Sequence, residues 1–151
     1  MNHLIIFVLV ITMCFGLNEG IVCSDPNNQN PRCGGAGCRL NTLELRNELG
    51  RGNILKVDCT SNQNKKTGPQ VVKFNESYAF SFEEVHAKRI VWACHLRHGP
   101  KGEYYQSIWR AYRGAAKKRC AQIRTWVAKV DGIYLVRNAE PKGHQFVWLK
   151  S

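Results

Sequence analysis

The chain has 151 residues, few enough for a single domain, and a formal net charge of +11 from 22 lysines and arginines against 11 acidic residues. A basic balance of this size favours acidic partners, such as anionic polysaccharide, a membrane surface, nucleic acid or the acidic face of a receptor. The length excludes a multidomain architecture. The charge itself says nothing about the fold.

The first twenty residues are predicted to be a secretory signal peptide, ending at Gly20. The uncharged apolar run from Leu4 to Leu17 is shorter than the roughly twenty residues that a membrane-spanning helix needs. Cleavage after Gly20 or after Ser24 fits the small-residue rule, and an uncleaved anchor is the alternative. No later run is long and apolar enough for membrane insertion, so a secreted, extracellular protein is expected.

Secretion places the cysteines in an oxidising compartment, where they are disulfide candidates. Cleavage after Gly20 removes Cys14 and leaves an even set, whereas cleavage after Ser24 leaves an odd thiol. The even count favours the earlier site. The remaining candidates are Cys23, Cys33, Cys38, Cys59, Cys94 and Cys120.

Neither a metal nor another cofactor is expected. Cys33 and Cys38 are the only closely spaced cysteines, and no second pair follows at the spacing of a zinc finger. His95 and His98 are separated by two residues in a predicted strand, so alternation points them to opposite faces.

Residues 21–40 are rich in Asn, Gly, Pro and Cys and predict an irregular N-terminal arm, whereas residues 41–151 contain short runs of alternating apolar residues closed by turn residues. About eight short strands at this spacing predict an all-β fold, a small antiparallel β-sandwich stabilised by disulfides. Asp131-Gly132 predicts a hairpin with a type I′ turn. The four tryptophans fall in separate strands and are expected in the core: Trp92, Trp109, Trp126 and Trp148.

No catalytic arrangement is found, so the protein is predicted not to be an enzyme. A ribonuclease would need two histidines converging on a phosphate, and the four candidates lie in no motif. Glu83 and Glu84 are adjacent and would point apart on a strand, which does not suit glycoside hydrolysis. The histidine candidates are His86, His95, His98 and His144.

Two surface features remain. The basic run from Lys117 to Arg119, with Arg113 and Arg124 nearby, could bind an acidic partner, and a solvated loop is the alternative. Asn75 begins the sequon Asn-Glu-Ser at an expected turn, which predicts an N-glycan in a secreted protein.

The order of the strand motifs resembles the plant self-incompatibility protein family, the S-protein homologues, from about residue 43 to 150. The chain matches several family motifs in their order along the sequence. These are the valine-histidine-cysteine-x-serine strand, the aromatic triplet, the aromatic-x-cysteine strand, the aspartate-glycine turn and the terminal phenylalanine-x-tryptophan-x-lysine. The matching residues are Val57-Asp58-Cys59-Thr60-Ser61, Tyr78, Phe80, Phe82, Trp92-Ala93-Cys94, Trp126, Asp131, Gly132, Tyr134, Phe146, Trp148 and Lys150.

The chain departs from the family pattern at several positions. Asp58 replaces the histidine, and the acidic strand phenylalanine-aspartate-isoleucine-tyrosine-aspartate becomes Gln106-Ser107-Ile108-Trp109-Arg110. Only Cys120 represents the family's double-cysteine segment. The resemblance implies that Cys120 still bridges to Cys94, which leaves Cys59 free or bonded to Cys23, Cys33 or Cys38.

The resemblance also implies a non-enzymatic, monomeric extracellular ligand with a membrane receptor as its partner, as in the recognition of pollen by the pistil. Nucleic acid is not an expected partner, and a cationic host-defence protein acting on anionic membranes is the alternative function. Family resemblance places partner specificity in loops 62–69, 98–103, 113–119 and 138–144. Their candidate residues are Lys65, Lys66, Lys101, Arg113, Lys117, Lys118, Arg119 and Lys142.

Overall fold

The computed structural model describes residues 39–84, 89–116 and 119–151, and within these ranges the chain forms ten strands and no helix. The predicted signal peptide, nearly all of the predicted arm, and Cys23, Cys33 and Cys38 lie outside the described residues. The strands are β1 (Asn41–Glu48), β2 (Leu55–Ser61), β3 (Gln70–Val72), β4 (Ser77–Phe82), β5 (Val91–His98), β6 (Tyr104–Arg113), β7 (Ile123–Lys129), β8 (Gly132–Arg137), β9 (Glu140–Phe146) and β10 (Leu149–Lys150).

The strands form two five-stranded sheets, in the orders β4-β1-β7-β8-β9 (sheet A) and β10-β6-β5-β2-β3 (sheet B). The all-β sandwich is confirmed. One pairing differs from the antiparallel expectation, because β1 and β7 are parallel. The chain between these two strands contains β2 to β6, which is more than enough connection for parallel pairing.

The alternation of the sequence determines which face of each strand is buried. In β1, Leu43 and Leu45 are fully buried while Glu44 and Arg46 on the other face are half-buried. Successive side chains of a strand point to opposite faces, so one apolar residue in two suffices to cover the core. Between the sheets, Phe80 packs edge-on against Trp92 at 4.7 Å, and Phe82 does the same against Tyr112 at 4.7 Å.

Cys59 on β2 and Cys94 on β5 form a disulfide, with their Cα atoms 4.1 Å apart. The two residues are directly opposite each other in sheet B, so their sulfur atoms meet without crossing the core. The implied Cys94–Cys120 bridge is therefore wrong, and Cys59 is neither free nor bonded to the arm. Cys120 is itself disulfide-bonded, and its bond is to neither Cys59 nor Cys94.

The two hairpins of sheet A have turns of different kinds. The β7–β8 hairpin predicted from Asp131-Gly132 is confirmed, but its turn residues are Val130 and Asp131, and neither has a positive φ. The prediction of a type I′ turn there is wrong. Positive φ at both turn residues occurs instead in the β8–β9 hairpin, at Asn138 (49°) and Ala139 (67°).

The pairing of β5 with β6 is interrupted by a bulge. Cys94 pairs with Ile108 and Trp92 pairs with Tyr112, so Ala93 alone faces three residues of β6. Trp109 follows the buried Ile108 and points away from the core, and its side chain is 80% exposed. The core placement of this tryptophan was wrong. Trp92 and Trp126 are buried, as expected, whereas Trp148 is half-buried and packs against the core.

The described ranges contain no helix of the length and hydropathy that crossing a membrane requires.

Candidate functional site

Three of the four predicted partner loops lie at one end of the sandwich. The β2–β3, β6–β7 and β8–β9 connections leave the sheets at the end where β1 and β7 begin, and we call this the basic end. The β5–β6 loop, with Lys101, leaves at the other end. Asn75 also lies there, in the β3–β4 connection, and we call this the sequon end.

The two ends differ in charge. Among the described residues of the connections and the bordering strand positions, the basic end has seven basic and three acidic side chains, a balance of +4. They are Arg39, Lys65, Lys66, Arg89, Arg113, Arg119 and Arg137 against Glu83, Glu84 and Glu140. The sequon end has five against four, a balance of +1. Its members are Arg51, Lys73, Lys101, Lys129 and Lys150 against Glu48, Glu76, Glu103 and Asp131.

Backbone-like hydrogen bonds fasten the β2–β3 loop to the basic end. The side-chain amide of Asn62 donates to the carbonyl oxygen of Arg89 and its oxygen accepts from the backbone N–H of Val91, both at 2.9 Å. These bonds extend the sheet by one position. Lys65 and Lys66 are exposed there, as a partner-binding role requires.

A buried carboxylate holds the β6–β7 connection. Glu84 is 4% exposed and accepts a hydrogen bond from the hydroxyl of Tyr112. It also accepts from the backbone N–H of Arg119 at 3.2 Å and forms an ion pair with that guanidinium at 3.5 Å. Arg119 in turn donates to the carbonyl oxygen of Arg113 at 2.6 Å. Two predicted partner residues are thereby joined to one buried acid.

A second arginine, Arg124, lies over the ring of Tyr112. The guanidinium carbon of Arg124 lies 4.5 Å from the ring centroid. Burial lowers the pKa of Arg124, and the neighbouring Arg137 and Arg119 lower it further. Burial and the carboxylate of Glu84 raise the pKa of Tyr112, so the hydroxyl stays protonated and donates its hydrogen bond.

The remaining predicted partner residues are placed differently. The predicted loop 138–144 is a turn of two residues followed by strand β9. Lys142 therefore lies on an edge strand, where it forms an ion pair with Glu140 at 2.7 Å. Lys117 and Lys118 lie outside the described residues.

The histidines do not meet. His95 lies on the outer face of sheet B with its Nδ1 2.8 Å from the hydroxyl of Ser107, whereas His98 packs against Tyr104 and Trp148. His144 lies on β9 of the other sheet, and His86 is outside the described residues. Within the described ranges, no group of three His, Cys, Asp or Glu side chains is placed to hold a metal ion.

Asn75 is exposed, with a φ of 64° between β3 and β4. Its backbone N–H donates to the carbonyl oxygen of Asn47 at 2.8 Å, which holds the turn against β1. The side chain is accessible to an oligosaccharide on the side of the molecule away from the basic end. Glycosylation itself stays a prediction.

Comparison with known proteins identifies the family. A profile described as plant self-incompatibility protein S1 matches residues 42–148. The chain belongs to this family. S-protein homolog 14 of Arabidopsis thaliana is 36% identical over 100% of this chain and 99% of its own length. S-protein homolog 25 of the same plant is 29% identical over 91% of this chain and 89% of its own.

A solved structure of a self-incompatibility protein homologue has the same fold. It superposes with a TM-score of 0.62 and 23% identity, covering 78% of this chain and all of the other. That protein is described as belonging to a widespread family of small, highly stable, secreted plant proteins.

The motifs that identify the S-protein homologue family mainly build the core. Val57, Cys59 and Phe82 are buried, and Phe80 packs against the core cluster. The departures lie outside it, since Trp109 and Arg110 are exposed. The family patterns therefore locate the fold and leave the binding surface unassigned.

Sequence reasoning missed two parts of the basic end. It did not assign Arg89 and Arg137 to this surface, and it treated Glu84 as half of an unsuitable catalytic pair. Strand alternation places Arg137 at the end of β8, but only the sheet order shows that β8 ends beside the β6–β7 connection. No local signal marks Glu84 as buried.

Proposed function

We propose that this S-protein homologue is a secreted, non-enzymatic ligand whose basic end binds the acidic face of a cell-surface receptor protein. The observation that carries the proposal is the convergence of three predicted partner loops at the end with seven basic and three acidic side chains. Complementary charge accelerates encounter and rejects like-charged surfaces, which suits a diffusing extracellular ligand.

The architecture supports this role. Loops mounted on a rigid scaffold can change in sequence without loss of the core, so partner choice can vary between relatives of one fold. Lys65 and Lys66 are exposed on such a loop, and Asn62 fastens its base to β5. Lys101 lies at the opposite end and is not part of the proposed surface.

Several observations support secretion as part of the proposal. The apolar leader is typical of a signal peptide, and the Cys59–Cys94 disulfide suits an oxidising compartment. The solved relative is described as secreted. We propose that the mature chain is a monomer that can carry a glycan at Asn75, which a mobility shift after glycosidase treatment would reveal and Asn75→Gln would abolish.

Binding to plant protoplasts tests the proposal. Labelled protein should bind saturably, and trypsin treatment of the protoplasts should remove the binding if the receptor is a protein. Charge reversal of Lys65→Glu with Lys66→Glu should weaken binding at least tenfold, since an acidic partner would meet carboxylates at its centre. The control, Arg51→Glu with Lys73→Glu, makes the same charge change at the sequon end and should weaken binding less than threefold.

Three results would contradict the proposal. Equal losses for the two double variants would mean that net charge alone drives binding. Salt-sensitive leakage from anionic phospholipid vesicles, with no saturable binding to protoplasts, would favour the host-defence function. Degradation of RNA that one histidine substitution abolishes would make the protein an enzyme.

A further inference from the structure

The outer face of sheet B carries an unpacked tryptophan. Trp109 is 80% exposed, more than any other large hydrophobic side chain in the described part of the chain. Single exposed apolar side chains are common on protein surfaces. An indole is the largest apolar side chain, so its exposure to water loses the most stabilisation that burial would bring. Trp92 and Trp126, in contrast, are buried in the core, and Trp148 packs against it.

Trp109 follows the buried Ile108 in β6, so alternation along the strand already points its side chain to solvent. The bulge adds Arg110 to the exposed surface, because three residues of β6 face Ala93 alone. Bulges re-aim side chains and are over-represented beside functional sites. A regular strand would alternate across this pair and expose only one of the two.

The residues that neighbour the bulge across the sheet have small side chains and do not cover the indole of Trp109. Ala93 pairs with Thr60 of β2, and Thr60 forms a bridge with Lys66 of the β2–β3 loop. Residues directly opposite in antiparallel strands share a face, so Lys66, Thr60, Ala93 and the bulge form one row. With strands about 4.8 Å apart, the row spans about 14 Å. Only small side chains lie between the two ends of the row.

The same face is mostly cationic. Lys56 and Arg97 are exposed, pair across β2 and β5, and line a cavity of about 470 Å³ with Asp58 and His95. Asp58 is the one acid among these lining residues. A partner with acidic side chains would therefore meet complementary charge both at Arg110 and at this cavity.

We propose that Trp109 and Arg110 are the anchor by which this chain docks on a receptor protein, with the indole entering an apolar pocket rimmed by acidic side chains. The inference rests on the proposed function and extends its surface from the basic end onto sheet B. Trp and Arg are the residues that most often dominate the energetics of protein interfaces. Arg110 supplies bidentate hydrogen bonding to a carboxylate at the rim.

The pattern fits a protein better than other acidic partners. A single-stranded nucleic acid needs several aromatic platforms at base spacing, and this row has one exposed ring. Membrane binding needs a continuous apolar area. Val130 lies at the sequon end, and Val71, which shares this face through its pairing with Lys56, is separated from Trp109 by two strands. A lone indole among cations is the arrangement that a pocket with an acidic rim would recognise.

Equilibrium binding of labelled protein to protoplasts tests the inference, with trypsin-treated protoplasts, phosphatidylserine-containing vesicles and polygalacturonate as separate probes. Trp109→Ala and Arg110→Glu should each weaken protease-sensitive binding at least tenfold. Trp109→Phe should recover part of the loss because it keeps an aromatic ring. Val130→Ala and Lys73→Glu, at the sequon end, are the matched controls and should change binding less than twofold. Urea unfolding of each variant verifies the fold.

The outcomes separate this inference from the proposed function. If wild-type binding is saturable and protease-sensitive but Trp109→Ala and Arg110→Glu bind like wild type, the anchor is wrong and the proposed function stands. If Trp109→Ala loses binding to vesicles or polygalacturonate and wild type shows no protease-sensitive binding, both are overturned. A loss in Val130→Ala equal to that in Trp109→Ala would also contradict an anchor at the bulge.

Discussion

The two ends of this sandwich are fastened by different chemistry. At the basic end, the carboxylate of Glu84 is buried with Tyr112 and paired with Arg119. At the sequon end, Asn47 is fully buried, and its amide donates to the carbonyl oxygens of Asn53 and Val72 at 3.0 and 2.9 Å. Side-chain amides hold loops at both ends, since Asn62 does so at the basic end, but the one buried acid of the described residues lies at the basic end.

The difference follows from the charge that each end carries. Arg119 and Arg124 approach the same tyrosine ring, and without a neighbouring anion these cations would repel each other in a partly buried site. The buried carboxylate of Glu84 offsets that repulsion, and the exposed lysines and arginines still give this end a positive surface potential. The sequon end is nearly balanced in charge and needs no such compensation.

Removal of the central disulfide should destabilise both ends together and is the reference for the other changes. Cys59 and Cys94 are separated by 35 positions, and a loop of that size corresponds to about 4 kcal/mol of unfolding free energy. Urea unfolding of Cys59→Ala with Cys94→Ala should show this loss. Non-reducing peptide mapping of wild type should join Cys59 to Cys94, and a Cys94–Cys120 peptide would contradict the structure.

Loss of the buried anion should affect the basic end most. Glu84→Ala should lower the unfolding free energy by about 3 kcal/mol, because it leaves Arg119 and Tyr112 without their buried partner. Asn47→Ala at the sequon end removes neutral hydrogen bonds and should cost about 2 kcal/mol. Urea unfolding measures both. Glu84→Gln keeps the side-chain shape but not its charge, so stability equal to wild type would show that the charge is not required.

Gly132 tests how closely the sequon end is packed. A Cβ added there would collide with Nε2 of His144 and the carbonyl oxygen of Phe146. Gly132→Ala should therefore lower the unfolding free energy by about 2 kcal/mol. Gly102→Ala, in the same half of the molecule, has a φ of +69° but no atom within 4 Å, and should cost about 1 kcal/mol from backbone strain alone. Equal losses in thermal unfolding would refute the collision.

A glycine substitution in the β8–β9 turn, at the basic end, should stabilise the protein. Ala139 has a φ of 67°, which costs a residue with a side chain about 1 kcal/mol relative to glycine. Ala139→Gly should raise the unfolding free energy by about that amount. The same substitution at Ala79, in the exposed strand β4, should lower it, because glycine gains only conformational freedom in the unfolded chain there. A decrease for both variants would contradict the positive φ of Ala139.

His98 should make the stability of the sequon end depend on pH. Burial lowers the pKa of His98 below its usual 6.5, although the nearby Glu103 acts in the opposite direction. The unfolded chain then binds the proton more readily, so stability is greatest above pH 6.5 and falls as the pH drops below it. His98→Phe keeps an aromatic ring between Tyr104 and Trp148 and should abolish this slope in urea unfolding. Persistence of the slope in that variant would assign it to another group.

Part of the fold follows from the sequence because the information is local. The alternation in β1 and β2 specifies which side chains face the core, and turn residues specify where the strands stop. The hairpin at Asp131-Gly132 was predicted for this reason. Its turn type was not, because Gly132 is required by the close approach of His144 and Phe146 on β9, which lie twelve and fourteen residues further along the chain.

The disulfide shows the same limit. The family pattern indicated that Cys94 is bonded, but it did not show the register in which β2 lies beside β5. Cys59 is opposite Cys94 because of that register, and a shift by one residue would have pointed the two thiols to different faces. Trp109 was expected in the core with the other tryptophans, but it follows the buried Ile108 and faces outward, and the bulge that exposes Arg110 beside it depends on pairing with β5.

By itself the sequence determined the class of fold, the positions of most strands and membership of the S-protein homologue family, since these depend on periodicity and on motifs along the chain. The tertiary structure decided which loops meet, that Glu84 is buried beneath them, and that Trp109 faces solvent. The reason is that sheet order, register and a bulge bring together residues far apart in sequence, and surface function depends on those combinations.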